Sequence, residues 1–282
     1  MPVPNVPSSL IPITVQTSTL QLPSEGLLYP EDSPVANGHI DFHIMTAREE
    51  DILSSKSLLR QGLALDALLK SCITTSNVDP LSLLTCDRNA LFLAIRISGF
   101  GANYSTRVMC PACQSTNVIA FDLSKLEYNK LTIDPIEPRT NLFYFESTHT
   151  IHVPNGFKVK FKLTTGYDEK EISEIGEKNQ MLHQRAQESQ NKIGIAVTAI
   201  SEHEVTLRMK KMITEIEGYS PQQYSTVIDS LPAIVSREFR KYISTIEPGI
   251  IMKQDMACAS CGTRTEVDIP ITTDFFWPAT DI

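Results

Sequence analysis

The sequence of 282 residues has no apolar run of roughly 18 residues, the length that a membrane-spanning helix needs. Residues 1–7 carry neither the basic charge nor the apolar core of a secretory signal. We therefore expect a protein without a membrane segment whose cysteines are reduced when it folds. Reduced cysteines favour metal binding over disulfide formation.

The chain also lacks an excess of basic residues. It has 25 Lys and Arg against 33 Asp and Glu, which gives a formal net charge of -8. Binding to nucleic acid depends on clustered Lys and Arg that neutralise phosphates, so this charge disfavours nucleic acid as the main partner. A hydrophobic content of 41% is ordinary for a globular protein, and the length suffices for one large or two modest domains.

Motifs of the common enzyme classes are absent as well. The sequence has no GxSxG, Walker, HExxH or GxGxxG pattern. Its histidines are scattered, and the nearest pair, His149 and His152, would lie on opposite faces of a strand. The acidic pair Glu49 and Glu50 fits the start of a helix. We therefore expect no catalytic residues, no enzyme activity and no small-molecule substrate.

What the chain does have is two CxxC pairs, Cys110-Pro111-Ala112-Cys113 and Cys258-Ala259-Ser260-Cys261. Each pair can supply two thiolates from one tight turn, and a tetrahedral zinc site needs two such pairs. Both pairs are flanked by short β-branched or apolar segments, which predicts two β-hairpins. We predict one structural zinc shared by Cys110, Cys113, Cys258 and Cys261. A closed four-thiolate site leaves no position for water, which argues against metal catalysis.

The spacing between the pairs leaves alternatives open. Residues 114–257 separate them, far more than the roughly 15–20 residues of a usual zinc ribbon. Either a large segment is inserted into one ribbon, or the pairs have different roles as disulfides, free thiols or a redox site. A redox site is disfavoured because neither pair lies between a clear strand and the start of a clear helix. Cys72 and Cys86 have apolar helical surroundings and should be buried.

The pattern of elements predicts an α+β fold, with a helical layer, a split four-cysteine zinc ribbon of two β-hairpin knuckles and a large inserted α/β segment. The predicted parts are an extended N-terminal arm (1–25), a helical region (26–102), the split ribbon (103–122 and 250–273), the inserted segment with a β-hairpin and helices (123–249) and an aromatic C-terminal tail (274–282). The start of the arm is rich in Pro, Ser, Thr and Val, so we expect it to become ordered only on a partner.

Several local elements follow from turn and capping chemistry. They are a capping box at Thr46-Ala47-Arg48-Glu49, a hairpin over 151–163 with a two-residue turn at Asn155-Gly156, a long polar helix over 168–190, and helices over 203–216 and 232–246. The aromatic cluster Phe275-Phe276-Trp277 either anchors a partner or caps the core of its own chain.

Several short stretches of the sequence, taken in their order along the chain, match the pattern of one protein family. They are Leu22-Pro23-Ser24-Glu25-Gly26, residues 45–53, Cys86-Asp87-Arg88-Asn89, Tyr104 ahead of the first CxxC pair, the second CxxC pair and Phe275-Phe276-Trp277-Pro278. In this order they resemble the baseplate hub protein family of T-even-type contractile-tailed bacteriophages. The resemblance covers residues 22–278 and is weakest over 123–200.

The resemblance implies a structural or assembly protein of the tail baseplate, at its central hub, and not an enzyme. Its expected partners are other phage baseplate or hub proteins. It is expected in the virion tail baseplate, and in the host cytoplasm during assembly. The alternatives are an assembly chaperone absent from the mature virion, a zinc-ribbon nucleic-acid-binding protein, and an enzyme or redox protein that uses the cysteines.

Overall fold

The computed structural model describes residues 15–149, 156–190, 204–269 and 271–276. Its N-terminal part combines a short hairpin with helices. In chain order these elements are β1 (Thr17–Gln21), β2 (His39–His43), α1 (Ala47–Ser54), α2 (Lys56–Arg60), α3 (Ala64–Cys72) and α4 (Thr85–Phe100). Strands β1 and β2 pair antiparallel, with Leu20 opposite Ile40.

The rest of the described chain alternates between strands and helices. Its elements are β3 (Asn103–Met109), β4 (Thr116–Asp122), β5 (Tyr128–Asn129), β6 (Phe143–Glu146), β7 (Lys158–Phe161), α5 (Gly166–Gln190), α6 (Glu204–Met212), β8 (Ile213–Ile216), α7 (Tyr224–Asp229), α8 (Ala233–Ile246), β9 (Gly249–Ile250), β10 (Lys253–Ala257) and β11 (Arg264–Asp268). The strands form small antiparallel sheets, β3–β4, β5–β9, β6–β7–β8 and β10–β11. This mixture of helices and strands confirms the predicted α+β class.

The arm predicted over residues 1–25 does not extend to residue 25, because its second part is packed into the fold. Residues 17–21 form β1, and Leu22 is buried. The Ser24 amide and hydroxyl both donate to the Asp87 carboxylate on α4, at 3.0 and 2.7 Å. The apolar and polar contacts of residues 17–24 thus outweigh the low charge and Pro-rich start that favoured an arm. Residues 1–14 lie outside the described residues.

Asp87 is a buried acceptor that ties the N-terminal segment to α4. The Tyr29 hydroxyl donates to Asp87 at 2.7 Å and accepts from the Leu84 amide at 2.9 Å. Burial raises the pKa of the Asp87 carboxyl, although the hydrogen bonds from Ser24 and Tyr29 favour its charged form. Two stretches that carry the family resemblance, around Ser24 and around Asp87, are therefore in direct contact in the fold.

The capping box predicted at residues 46–49 is confirmed at the start of α1. The Thr46 amide donates to the Glu49 carboxylate at 2.8 Å, and the Thr46 side chain caps the first turn. The second Glu49 oxygen accepts from the Ser71 hydroxyl at 2.6 Å, which links α1 to α3. Glu49 is buried, and these hydrogen bonds satisfy it.

The predicted hairpin over 151–163 is corrected by the pairing of β7. Strand β7 pairs with β6 on one edge and β8 on the other, with Phe143 opposite Phe161 and Val159 opposite Ile216. Both edges are therefore taken by strands that lie outside 151–157. The predicted alternation is confirmed, because Val159 and Phe161 are buried, whereas Lys158 is exposed and Lys160 is half-buried. Residues 150–155 lie outside the described residues.

The helix predicted over 203–216 is right only in its first part. Helix α6 ends at Met212, and residues 213–216 form β8. Ile213 and Ile216 are buried and β-branched, and pairing with β7 gives their backbone groups partners. This tertiary pairing outweighs the helical spacing of the apolar residues. The helices predicted over 168–190 and 232–246 are confirmed as α5 and α8.

Aromatic side chains fill much of the core. Phe239 of α8 packs edge-on against Phe145 and Phe161 of the three-stranded sheet, each at a centroid distance of 5.1 Å. Phe275 and Phe276 are fully buried, so these two residues of the predicted tail cap the core of their own chain. Trp277 lies outside the described residues. Buried residues from the ranges 26–102, 123–249 and 271–276 belong to one hydrophobic cluster.

The loop before β2 depends on Gly26, and alanine there should be strongly destabilising. Gly26 has a φ of +74°, and a Cβ on it would lie 2.5 Å from the Ala36 carbonyl oxygen. We expect Gly26→Ala to cost about 2–3 kcal/mol, because backbone strain adds to a clash with main-chain atoms. Gly218→Ala is the matched control, since Gly218 has a φ of +81° but open space around it. If urea unfolding showed equal losses of unfolding free energy in Gly26→Ala and Gly218→Ala, the clash at Gly26 would contribute nothing.

Candidate metal centre

The two CxxC pairs close the two hairpins predicted for them. The first pair lies between β3 and β4, directly after the Met109–Thr116 pairing. The second lies between β10 and β11, directly after the pairing of Ala257 with Arg264. Each hairpin therefore ends in a knuckle that holds its two cysteines at the tip.

The two knuckles repeat the same backbone turn. In the first, the Cys110 amide donates to the Ser115 carbonyl at 2.9 Å, and the Gln114 amide donates to the Cys110 carbonyl at 2.8 Å. In the second, Cys258 and Gly262 make the equivalent pair of hydrogen bonds with Thr263 and Cys258, both at 2.9 Å. The residue after each second cysteine has a positive φ, 60° at Gln114 and 70° at Gly262. Glycine adopts this conformation without a Cβ clash, so Gly262 suits the second turn.

The knuckles bring all four predicted thiols together. The four sulfurs lie within 4.8 Å of one another. Across the knuckles, the Sγ atoms of Cys110 and Cys261 are 3.8 Å apart, and those of Cys113 and Cys258 are 3.7 Å apart. A disulfide would need about 2.0 Å, whereas tetrahedral zinc with Zn–S bonds of about 2.3 Å needs sulfurs about 3.8 Å apart. The donor set and spacing therefore fit one tetrahedral metal ion.

Hydrogen-bond donors around two of the four sulfurs, those of Cys113 and Cys258, favour the thiolate form that a metal requires. The hydroxyl of Ser115 lies 3.1 Å from Cys113 Sγ and 3.3 Å from Cys258 Sγ. Hydrogen bonds from the Ser115 hydroxyl, and then from the Cys261 amide, lower the pKa of Cys258 to about 5. The Ser115 hydroxyl also lowers the pKa of Cys113. Thiolates are the form in which cysteine binds metals.

The cluster is half buried. Cys110 and Cys258, the first cysteine of each pair, are buried, whereas Cys113 and Cys261 are exposed. A metal held here would thus have one side against the core and one side toward solvent.

The two other cysteines take no part in the cluster. Cys72 and Cys86 are buried as predicted, and burial raises the pKa of Cys72 to about 12, so it behaves as an inert small hydrophobe.

Sequence reasoning missed Ser115 and Asn117, which surround the cluster from the first hairpin. Asn117 is buried, and its carboxamide donates to Cys258 Sγ at 3.5 Å and accepts from the Ala259 amide at 2.9 Å. The one signal for it is a polar residue in the apolar strand 117–121, at a position that faces inward.

A separate cavity of about 670 Å³ lies between α4, α6, α8 and β9. Its wall mixes apolar side chains such as Met209 and Met212 with the charged groups of Arg240 and Glu247. Burial raises the pKa of Glu247 to about 7, although Arg208 acts in the opposite direction. The cavity thus presents charges of both signs beside apolar side chains. The cysteine cluster is the site with a defined chemistry.

Fold and site together define an α+β protein whose two hairpins gather four free thiols into one cluster of metal-binding size. The chain belongs to the T4 bacteriophage base plate protein family, because the model of that family matches residues 19–277. This confirms the baseplate part of the resemblance, and the family description does not single out the hub. The comparisons with curated proteins and with solved structures each found no match.

Membership of this family supports a structural role in a phage tail baseplate. Within the described residues, no helix combines the length and the apolar character needed to cross a membrane.

Proposed function

We propose that this chain is a structural or assembly protein at the central hub of a contractile-tail baseplate, and that it acts through protein–protein contacts. Family membership over residues 19–277 is the observation that carries this proposal. The order of the family-like stretches from Leu22 to Pro278 is what favours the hub over other parts of the baseplate. The expected partners are other baseplate or hub proteins, met first in the host cytoplasm and then in the virion tail.

We further propose that a structural zinc held by Cys110, Cys113, Cys258 and Cys261 staples the fold. Soft thiolate donors in a tetrahedral arrangement select zinc or iron, and cysteines at CxxC spacing are typical of structural zinc sites. Since four protein ligands complete the coordination, the ion would have a structural role and no open position for a substrate.

The proposed zinc would close the long loop between the two hairpins. Residues 114–257 lie between the two pairs, and metal binding would join both ends of this loop on the same ion. Loop closure of this kind removes conformational freedom from the unfolded chain, so the binding energy becomes folding energy. On this proposal the ribbon halves 103–122 and 250–273 form one unit, into which the segment 123–249 is inserted.

The outer faces of the hairpins offer surface for neighbouring chains. Met109 and Val118, on the outward face of the first hairpin, are 66% and 54% exposed. The outward face of the second hairpin instead carries an ion pair of Lys253 with Glu266 at 3.2 Å. Such a mixed apolar and neutralised surface suits contacts with proteins better than contacts with a nucleic-acid backbone.

Quantitative mass spectrometry of purified virions from the source phage tests the hub proposal. We expect a few copies of the chain in every particle, because a hub component is retained when the tail is complete. Absence from particles, together with failed tail assembly in a deletion strain, would replace the hub with an assembly chaperone that leaves. Tight duplex binding with a steep salt dependence would instead favour the nucleic-acid-binding alternative.

A further inference from the structure

Asn117 makes the shortest hydrogen bond between the two knuckles, at 2.9 Å to the Ala259 amide, and this bond does not involve a metal. It lies on β4 and is only 7% exposed. Its side-chain amide donates to the Ser115 carbonyl of its own knuckle at 3.1 Å and to Cys258 Sγ at 3.5 Å. Its side-chain oxygen accepts from the Ala259 amide at 2.9 Å. One carboxamide thus links both hairpins at the position where the thiols meet.

The orientation of this carboxamide follows from its partners. The Ala259 amide can only donate and the Ser115 carbonyl can only accept, so the oxygen faces Ala259 and the nitrogen faces Ser115 and the sulfur. All hydrogen-bonding groups of the buried side chain are therefore in use. A buried polar group that is fully satisfied holds its neighbours in one arrangement.

Among the described residues, the side chains of the second knuckle that correspond to Ser115 and Asn117 make no hydrogen bond to the first knuckle. By the repeat of the two knuckles, Thr263 corresponds to Ser115 and Thr265 to Asn117. Thr263 lies 3.3 Å from Cys261, a sulfur of its own knuckle, and Thr265 makes only a weak contact of 3.4 Å with the neighbouring Glu266 carbonyl. Ser115 and Asn117, by contrast, both reach Cys258 of the other knuckle. The cross-knuckle contact is thus specific to the first hairpin.

We propose that Asn117 is a positioning residue that docks the second knuckle onto the first before any metal binds. The four thiols are then assembled in the metal-free protein, and the ion enters a preformed site. The proposal has two consequences, docking of the knuckles and a tighter metal site, and only the second rests on the proposed zinc function. Docking itself is a property of the metal-free chain, because Asn117 bonds to backbone and sulfur atoms that are present without an ion.

Zinc affinity of the full-length chain, measured by competition with a chromogenic chelator, gives the first test. We expect Asn117→Ala to bind zinc about 10–100-fold more weakly than the unchanged protein, the usual effect of losing a residue that orients ligands. Thr265→Ala is the matched control, since Thr265 occupies the equivalent position without a cross-knuckle bond. Its affinity should be unchanged. An unchanged affinity in Asn117→Ala would refute the role of Asn117 in tightening the metal site.

Hydrogen exchange of the Ala259 amide in the metal-free full-length protein gives the second test. We expect slow exchange in the unchanged chain and fast exchange in Asn117→Ala. Asn117→Asp keeps an acceptor for Ala259 but loses the donor to Cys258, so it should retain slow exchange while its zinc affinity falls. This variant separates the contact of residue 117 with the Ala259 amide from its contact with the Cys258 sulfur, while the fold is retained. Fast exchange of Ala259 in the unchanged metal-free chain would overturn docking before metal binding.

The two tests also separate this inference from the zinc proposal. If the unchanged protein binds no zinc, the proposed structural zinc is refuted. Slow exchange of the Ala259 amide that depends on Asn117 would still support docking. If zinc binds with full stoichiometry and Asn117→Ala changes neither affinity nor exchange, the staple stands and the role of Asn117 is refuted.

Discussion

Replacing either Cys113 or Cys261 by serine is expected to abolish stoichiometric zinc binding and to lower stability by more than about 4 kcal/mol, since a tightly bound structural ion contributes its binding energy to folding. The two thiols belong to different knuckles, yet each lies within 4.8 Å of the other three ligands. Both are exposed, so serine at either position leaves no cavity in the core. The measurements are zinc content by elemental mass spectrometry and urea unfolding.

A third cysteine variant controls for loss of a thiol as such. Cys72 is fully buried in α3, away from the cluster. We expect Cys72→Ala to retain one zinc per chain and to lose only about 1 kcal/mol from the smaller side chain. The shared site would be refuted if Cys113→Ser removed zinc and Cys261→Ser did not. The two knuckles would then not hold one ion.

The same variants also separate a structural ion from a redox dithiol. A redox site would cycle between thiol and disulfide while the fold stayed intact, and serine at one cysteine would leave stability nearly unchanged. A structural zinc makes the opposite prediction, because each ligand contributes to folding. The free energy of unfolding of Cys261→Ser therefore distinguishes a structural zinc from a redox dithiol without an activity assay.

The parts of the fold that the sequence predicted are those set by local chemistry. The CxxC spacing requires a tight turn, and the flanking apolar segments require strands, so both hairpins could be predicted. The capping box at the start of α1 rests on the side chains of Thr46 and Glu49, which are three residues apart. The position of Cys113 near Cys258 was predicted only through the chemistry of zinc, which needs four ligands.

The parts that could not be predicted depend on distant partners. Residues 213–216 form a strand because β7 offers them an open edge, although their own spacing fits a helix. Asn117 matters because Ala259, far along the chain, lies against it. Its local sequence shows only a polar residue in a strand. Tertiary contacts of this kind override local propensity and leave little trace in a single sequence.

Arg96 also depends on partners that are distant in the sequence. Its replacement is the second change from which we expect a large effect. It lies on α4, is 1% exposed and makes no ion pair with a carboxylate among the described residues. Instead, its guanidinium donates to three carbonyls, those of Phe275 at 2.8 Å, Gly101 at 2.7 Å and Asn103 at 3.0 Å. It thus fastens the C-terminal aromatic segment and the start of β3 to the end of α4.

We expect Arg96→Met to lower the free energy of unfolding by about 3–5 kcal/mol, because one buried and two part-buried carbonyls lose hydrogen bonds to a charged donor, each worth about 1.5–3 kcal/mol. The loss is less than the full sum, since burial of the guanidinium is itself costly, as the lowered pKa of Arg96 indicates. The stability of Arg96→Lys should lie between those of Arg96→Met and the unchanged protein. An ammonium group lacks the planar fork of arginine and cannot reach all three carbonyls at once.

Arg107→Met is the matched control for Arg96→Met, because Arg107 is exposed on β3 and its loss should change stability by less than about 0.5 kcal/mol. Urea unfolding of the variants measures the effect, and limited proteolysis locates it. Since Phe275 packs on Tyr104 at a centroid distance of 5.0 Å, losing the Arg96 bond should expose residues 271–276 to cleavage before the rest of the chain unfolds. Equal stability of Arg96→Met and Arg107→Met would mean that aromatic packing alone holds this segment, and that the guanidinium adds nothing to it.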